Sequence, residues 1–112
     1  MPSMDETWVM RNGLMIPNRS VLAAMTNKQS HADGTLSDEE MRFLLRRAEG
    51  GFGLITTAAS HVQESGQGWE GEFGVWGDHQ LPGLTSLATQ LKQHDSKSFV
   101  QIFHGGMRAP SS

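Results

Sequence analysis

Apolar residues gather in short runs that are separated by polar, glycine-rich stretches. Three runs have the length of a strand: SVLAAM at residues 20–25, FGLITTAAS at 52–60 and SFVQIFH at 98–104. Runs that are apolar throughout are typical of strands covered on both faces, as in parallel sheets, whereas half-exposed strands alternate. The pattern therefore predicts three buried strands that run parallel.

A hairpin is predicted ahead of the first run, within WVMRNGLMIP. Asn12 and Gly13 favour a type I′ turn, because both residue types tolerate positive φ and apolar residues flank them on both sides. We expect this hairpin at about residues 8–16, ended by Pro17.

Two helices are predicted between the strands. Ser37 and Glu40 form a capping box that opens the first helix, whose buried face consists of Met41, Leu44, Leu45 and Ala48. The second helix, at roughly 79–94, has an apolar stripe made of Leu81, Leu84, Leu87, Ala88 and Leu91. Alternating strands and helices indicate an α/β fold with right-handed parallel crossovers.

The predicted topology leaves part of the sheet uncovered. Two crossovers of one hand place both helices on the same face, so the other face is bare. Closing an open sheet or a barrel would need more chain or another copy. We therefore expect residues 1–112 to be a single incomplete domain, with no internal repeat and no linker.

Composition narrows the possible partners and location. The net charge is -3 and no basic stretch is interleaved with aromatic residues, so neither nucleic acid nor an anionic membrane is expected as a partner. There is no cysteine and no apolar run long enough to span a membrane. The first twenty residues carry charges and do not resemble a signal peptide, so we expect a cytoplasmic protein.

Two patterns that could indicate a ligand site do not support one. Residues 66–71 match G-x-G-x-x-G, but the glycines come several residues after the strand and no helix opens directly after them. We expect a loop there. No metal site is expected either, because the five histidines lack ligand spacing: His31, His61, His79, His94 and His104.

Gln101 interrupts the third apolar run. An unpartnered buried amide costs roughly 1–3 kcal/mol, so Gln101 should have a hydrogen-bond partner. That partner could be a bound ligand, a polar layer inside a barrel, or a neighbouring backbone group. Thr26 could instead cap a loop at the end of a strand, and Phe103 could be a core residue.

Four stretches together resemble the amino-terminal part of the Old Yellow Enzyme family: NRSVLAAMTN, DGTLSDEEMRFLLRRAEGGFGLITTAASHV, FGVWGDHQLPGLTSLATQL and FVQIFHGGMR. Their order and spacing are preserved from about Trp8 to Arg108. Members are FMN-dependent NAD(P)H oxidoreductases, or ene-reductases, built on a TIM barrel. The resemblance implies a partial TIM (β/α)8 barrel, namely the first three strands and two helices preceded by the hairpin that closes the barrel bottom.

The resemblance also implies flavin contacts. Ala24-Met25-Thr26 corresponds to the segment whose backbone touches the ring, with the Thr26 hydroxyl near flavin O4 and N5. Ala59 corresponds to a small residue against the flavin. Gln101 corresponds to the glutamine that binds the pyrimidine edge, since a primary amide can pair with N3–H and O2 together. Phe103 corresponds to a substrate-facing aromatic residue.

The resemblance implies an activity that this chain cannot complete alone. The family transfers hydride from NAD(P)H to FMN and then to an activated alkene, with a tyrosine as the usual proton donor. The proton donor, the substrate clamp and the phosphate site lie beyond the third strand, and this sequence has no tyrosine. We expect no catalytic residue within the chain and weak or no FMN binding. The alternatives are a non-catalytic, self-associating unit and one half of a split enzyme.

Overall fold

The computed structural model describes residues 3–25 and 28–109. The chain begins with a hairpin in which β1 (Trp8–Val9) pairs antiparallel with β2 (Met15–Ile16), as predicted. The turn type differs from the prediction, because Gly13 has a positive φ of 88° and Asn12 does not. The Gly13 N–H donates to the Met10 carbonyl at 2.9 Å, which is the pattern of a three-residue loop with a left-handed glycine at its end.

The three predicted strands are present and run parallel, but they are shorter than expected. The first sheet has the order β3 (Val21–Leu22), β4 (Leu54–Thr56), β7 (Lys97–Phe99). Further along the same chain segments, β5 (Ser60–His61) lies between β6 (Phe73–Gly74) and β8 (Ile102–Phe103), again parallel. The runs at 52–60 and 98–104 are therefore each divided into two strands, and β6 was not predicted.

Both helices form where the sequence predicts them. α1 (Asp38–Glu49) begins after Ser37, whose hydroxyl accepts the Glu40 N–H at 3.1 Å. A 3-10 turn, Asp78–Gln80, leads into α2 (Leu81–Lys92).

The buried stripe of α2 is narrower than predicted. Leu87 and Leu91 are buried, whereas Leu81 and Ala88 are exposed. The helix packs against α1 and β7, so residues at its start and on its flank remain in solvent.

The core lies between the two helices and one face of the first sheet. Its buried side chains are Leu22, Leu44, Ala48, Ile55, Leu87 and Leu91. Val21, next to buried Leu22, is 46% exposed, and Phe99 on the edge strand is 42% exposed. Because neighbouring strand residues point to opposite faces, the sheet face away from the helices is open at Val21 and Phe99, whereas Leu54 on the same face is buried.

Within the described ranges, 3–25 and 28–109, no helix is long and apolar enough to cross a membrane.

Candidate functional site

A β-bulge interrupts two neighbouring chain segments at the same level. One segment consists of β4 and β5, and the other of β7 and β8. β4 and β7 pair as far as Thr56 and Phe99, and β5 and β8 resume the pairing further along. In between, three residues (57–59) stand opposite two (100–101). Such a bulge bends the strands and redirects the side chains next to it, and bulges are over-represented beside active sites.

A side-chain hydroxyl replaces one acceptor of the backbone ladder in this bulge. The Gln101 N–H donates to Thr57 Oγ1 at 3.2 Å, and the Gln101 carbonyl accepts the Ser60 N–H at 2.8 Å. The Thr57 and Ser60 hydroxyls both donate to the Ala58 carbonyl, each at 2.9 Å. The backbone of Gln101 is thereby held on both sides by the central strand.

The structure brings two of the predicted flavin-contacting residues, Ala59 and Gln101, to this bulge. Ala59 is buried, but Gln101 is exposed, so the expectation of a buried amide is wrong for this chain. The physical reason is that Gln101 lies between the edge strands β7 and β8, where Phe99, Val100 and Ile102 are exposed as well. Among the described residues, the Gln101 side-chain amide has no hydrogen-bond partner, so its donor and acceptor are both available.

The remaining predicted site residues lie around the same strand ends. Ala24 follows β3 and is half-buried, and Met25 beside it is 56% exposed. Thr26 falls outside the described residues. Phe103 lies at the end of β8 and is half-buried. None of these positions tests flavin contact directly, so the assignments remain predictions.

A tryptophan that sequence reasoning did not single out packs on Phe103. The ring centroids of Trp69 and Phe103 are 5.3 Å apart, with the planes tilted by 54°. Gly68 lies close to the same ring, since a Cβ on it would meet Phe103 Cε1 at 2.9 Å. The glycine-rich stretch is a loop, as predicted, and it contacts the end of the third strand.

A buried carboxyl group holds this loop. Glu72 is 1% exposed, and its Oε1 accepts the Gly68 N–H at 2.7 Å. Its Oε2 is buried and has no hydrogen-bond partner among the described residues. Burial raises the pKa of Glu72, and the bond from Gly68 opposes that rise only in part.

His61 is buried beside Glu72 and is neutral. Its Nε2 accepts the indole N–H of Trp76 at 3.1 Å, so Nδ1 carries the proton and donates to the Phe73 carbonyl at 3.0 Å. Burial lowers the pKa of His61. The 3.5 Å separation between His61 Nδ1 and Glu72 Oε1 is therefore not a salt bridge, because burial disfavours both charges.

Gln80 connects two loops at this end of the sheet. Its Oε1 accepts the Trp76 N–H at 2.8 Å and the Gly77 N–H at 3.1 Å. Its Nε2 donates to the Asp33 carbonyl at 3.1 Å. The Gln80 side chain thus joins the loop after β3 to the loop before α2.

The histidines do not form a metal site in the part of the chain that the structure describes, where no group of three metal-ligating side chains occurs. His104 instead bonds Gln63 Oε1 through Nε2 at 2.9 Å, and its Nδ1 accepts the Gly106 N–H at 2.9 Å. It holds the end of β8 against the loop after β5.

The strands are parallel, the helices lie on one face, and the bulge and its polar groups lie at the carboxyl ends of the strands; this is the arrangement of a β/α barrel. Active sites of β/α-barrel enzymes are assembled at those ends. The family model of the NADH:flavin oxidoreductase / NADH oxidase family matches residues 10–112, so the chain belongs to that family. The family is FMN-dependent and uses NAD(P)H as the reductant.

Curated relatives agree with this membership. The chain is 34% identical over 106 residues to the probable NADH-dependent flavin oxidoreductase YqiG of Bacillus subtilis (strain 168), covering 95% of this chain and 28% of that protein. It is 34% identical over 101 residues to the NADH:acrylate oxidoreductase of Vibrio harveyi, covering 90% of this chain and 10% of that protein. The chain therefore spans less than a third of the length of these relatives.

Solved structures confirm the fold. The old yellow enzyme homologue from Zymomonas mobilis superposes with a TM-score of 0.87 at 22% identity, covering 98% of this chain and 30% of that one. A 2-naphthoyl-CoA reductase complex superposes with a TM-score of 0.89 at 27% identity, covering 96% and 16%. The predicted partial TIM barrel and the resemblance to the Old Yellow Enzyme family are both confirmed.

Proposed function

We propose that this chain supplies the wall that binds the flavin ring in an FMN-dependent NAD(P)H oxidoreductase of the ene-reductase type. The observation that carries the proposal is the bulge, which holds Ala59 and Gln101 side by side at the carboxyl ends of parallel strands. The amide of Gln101 has both of its hydrogen-bonding groups available, which fits the N3–H and O2 of the pyrimidine edge.

Each predicted residue has a distinct role in this proposal. The backbone at Ala24 and Met25 contacts the ring, and Thr26 places its hydroxyl near O4 and N5. Ala59 leaves room for the ring because its side chain is small. When bound, FMN supplies the hydride-transfer chemistry from NAD(P)H to an activated alkene.

Phe103 faces the substrate in this proposal. Its position is set by the loop around Gly68 and Trp69, which packs on its ring.

We further propose that the phosphate site, the proton donor and the substrate clamp come from barrel segments outside residues 1–112, whether on the same polypeptide or on a separately encoded one. Support comes from the relatives, of which this chain covers less than a third. The open sheet face, with Val21 and Phe99 exposed, is the surface that such segments would cover. The cytoplasmic location expected from composition remains a prediction.

Self-association through the same apolar face is the second candidate. It is favoured by the exposure of β8, where Ile102 is 72% exposed on an edge strand. Exposed apolar edge strands are templates for pairing with another chain. In this alternative the chain assembles with its own copies and does not turn over substrate.

The deciding experiment compares the purified 112-residue chain alone with the chain co-expressed with the part of YqiG that follows its matched segment. Flavin absorbance and mass by light scattering are measured for both samples. A yellow 1:1 complex and a colourless chain alone support the proposed function. A colourless oligomer that does not bind the YqiG segment supports self-association. A yellow monomer in the sample of the chain alone contradicts the proposed need for further segments.

A further inference from the structure

The bulge places a threonine hydroxyl where a strand ordinarily presents a backbone carbonyl. In a regular parallel ladder the Gln101 N–H would bond a carbonyl of the neighbouring strand. Here it bonds Thr57 Oγ1 at 3.2 Å. Thr57 is 2% exposed, so water does not compete for this acceptor. The side chain of Thr57 therefore completes the ladder at the residue that carries the proposed flavin-binding amide.

The Thr57 hydroxyl is held in one orientation. It donates its own hydrogen to the Ala58 carbonyl at 2.9 Å, which leaves its lone pairs for the Gln101 N–H. On the other side, the Ser60 N–H holds the Gln101 carbonyl at 2.8 Å. The main chain of Gln101 is thus fixed at two points while its side chain remains exposed.

We propose that Thr57 is a positioning residue for Gln101. Its hydroxyl fixes the Gln101 main chain in the bulge and so sets the direction in which the side-chain amide meets the pyrimidine edge of the flavin. The inference rests on the proposed flavin role of Gln101. Valine at position 57 would occupy a similar volume without an acceptor, so the Gln101 N–H would lose its partner and the bulge would relax.

The first measurement is amide hydrogen exchange of Gln101 in the ¹⁵N-labelled 112-residue chain. Thr57→Val should accelerate exchange of the Gln101 N–H by roughly threefold to tenfold, the factor expected for one ordinary hydrogen bond. Thr57→Ser should stay within about twofold of the unsubstituted chain, since the acceptor is retained. Thr56→Val is the matched control, because the Thr56 hydroxyl has no hydrogen-bond partner among the described residues.

The second measurement uses the complex of the labelled chain with the co-expressed YqiG segment, freed of flavin, and follows the side-chain NH₂ signal of Gln101 while FMN or 3-methyl-FMN is added. In that complex, the unsubstituted chain and Thr57→Ser should respond more strongly to FMN than to the N3-methylated analogue. Thr57→Val should lose that preference. If Thr57→Val does not fold, Thr57→Ala serves in both measurements, since it also removes the hydroxyl.

Two results would overturn the inference. One is unchanged exchange of the Gln101 N–H in Thr57→Val; the other is accelerated exchange with the preference for FMN retained. A complex whose Gln101 amide does not respond to FMN contradicts the proposed function and with it the flavin role of Thr57. The exchange data still report the backbone bond in that case, so the two failures can be told apart.

Discussion

Replacing Gly71 by alanine tests how closely the loops around the candidate site approach each other. Gly71 has a φ of +88°, and a Cβ on it would lie 2.6 Å from the Lys28 carbonyl oxygen. That carbonyl belongs to the stretch just after the predicted flavin-contacting segment, and the Gly71 carbonyl in turn accepts the Ser30 N–H at 3.0 Å. The substitution therefore acts on the contact between the loop after β3 and the loop after β5.

Two terms make up the expected cost. A left-handed backbone costs an alanine about 1–2 kcal/mol. Overpacking against a backbone atom that cannot rotate away adds about 1–3 kcal/mol. Gly71→Ala should therefore lower the free energy of unfolding by about 2–5 kcal/mol.

Glycines with a positive φ and no close neighbour isolate the first term. Gly13 has a φ of +88° and Gly51 a φ of +108°, and a Cβ on either meets nothing within 4 Å. Gly13→Ala and Gly51→Ala should each cost about 1–2 kcal/mol in urea unfolding followed by circular dichroism. If Gly71→Ala costs no more than these controls, the close approach of the two loops is refuted.

Three further predictions concern buried groups. Burial raises the pKa of Glu72 above its ordinary 4.5, so the stability that Glu72 contributes is full below pH 4.5 and declines as the pH rises. When the free energy of unfolding is measured across pH, it should therefore fall less steeply for Glu72→Gln than for the unsubstituted chain. Burial lowers the pKa of His61 below its ordinary 6.5, so the stability that His61 contributes is full above pH 6.5 and is lost as the pH falls. The free energy of unfolding of His61→Gln, measured across pH, should lack this loss. An equal loss in the variant would contradict the buried neutral imidazole. Leu91→Ala, in the core at 1% exposure, should cost about 2–5 kcal/mol in denaturant unfolding, whereas Leu81→Ala, on the same helix but exposed, should cost under about 1 kcal/mol; similar costs would refute the observed packing of α2.

Signals that act within a few residues predicted the structure well. The cap at Ser37 lies next to the backbone groups it satisfies, and the periodicity of α1 is read within one helix, so both were predictable. The turn at Gly13 shows the limit of such signals. Asn12 tolerates positive φ but does not adopt it, since a three-residue loop satisfies the same strands.

Features that depend on register between distant segments were not predictable. The bulge exists because residues 57–59 stand opposite 100–101, and no local pattern specifies that mismatch. The exposure of Gln101 has a related origin, since its burial depends on which distant segments cover the edge strands β7 and β8. Apolar neighbours in the sequence predicted a buried amide, but neighbours along a strand do not decide which face is covered.

Long-range polar contacts were missed for a related reason. Histidine and glutamate residues 11 positions apart show no helical or metal-ligand spacing, yet His61 and Glu72 are buried side by side. Trp69 lay in a stretch recognised only as a loop, and its contact with Phe103 joins segments far apart in the chain. Resemblance to a family supplied the candidate flavin-binding positions, whereas the residues that surround them were found only in the three-dimensional structure.

The three hydrogen bonds of the Gln80 amide have a consequence for ligand entry. One side chain is hydrogen-bonded to the main chain of Trp76 and Gly77 and to that of Asp33. The loop after β3 and the loop before α2 are therefore held together. These loops lose their conformational entropy when the polypeptide folds, so a molecule that binds beside them does not have to order them. The rim of the barrel mouth is in this respect pre-organised.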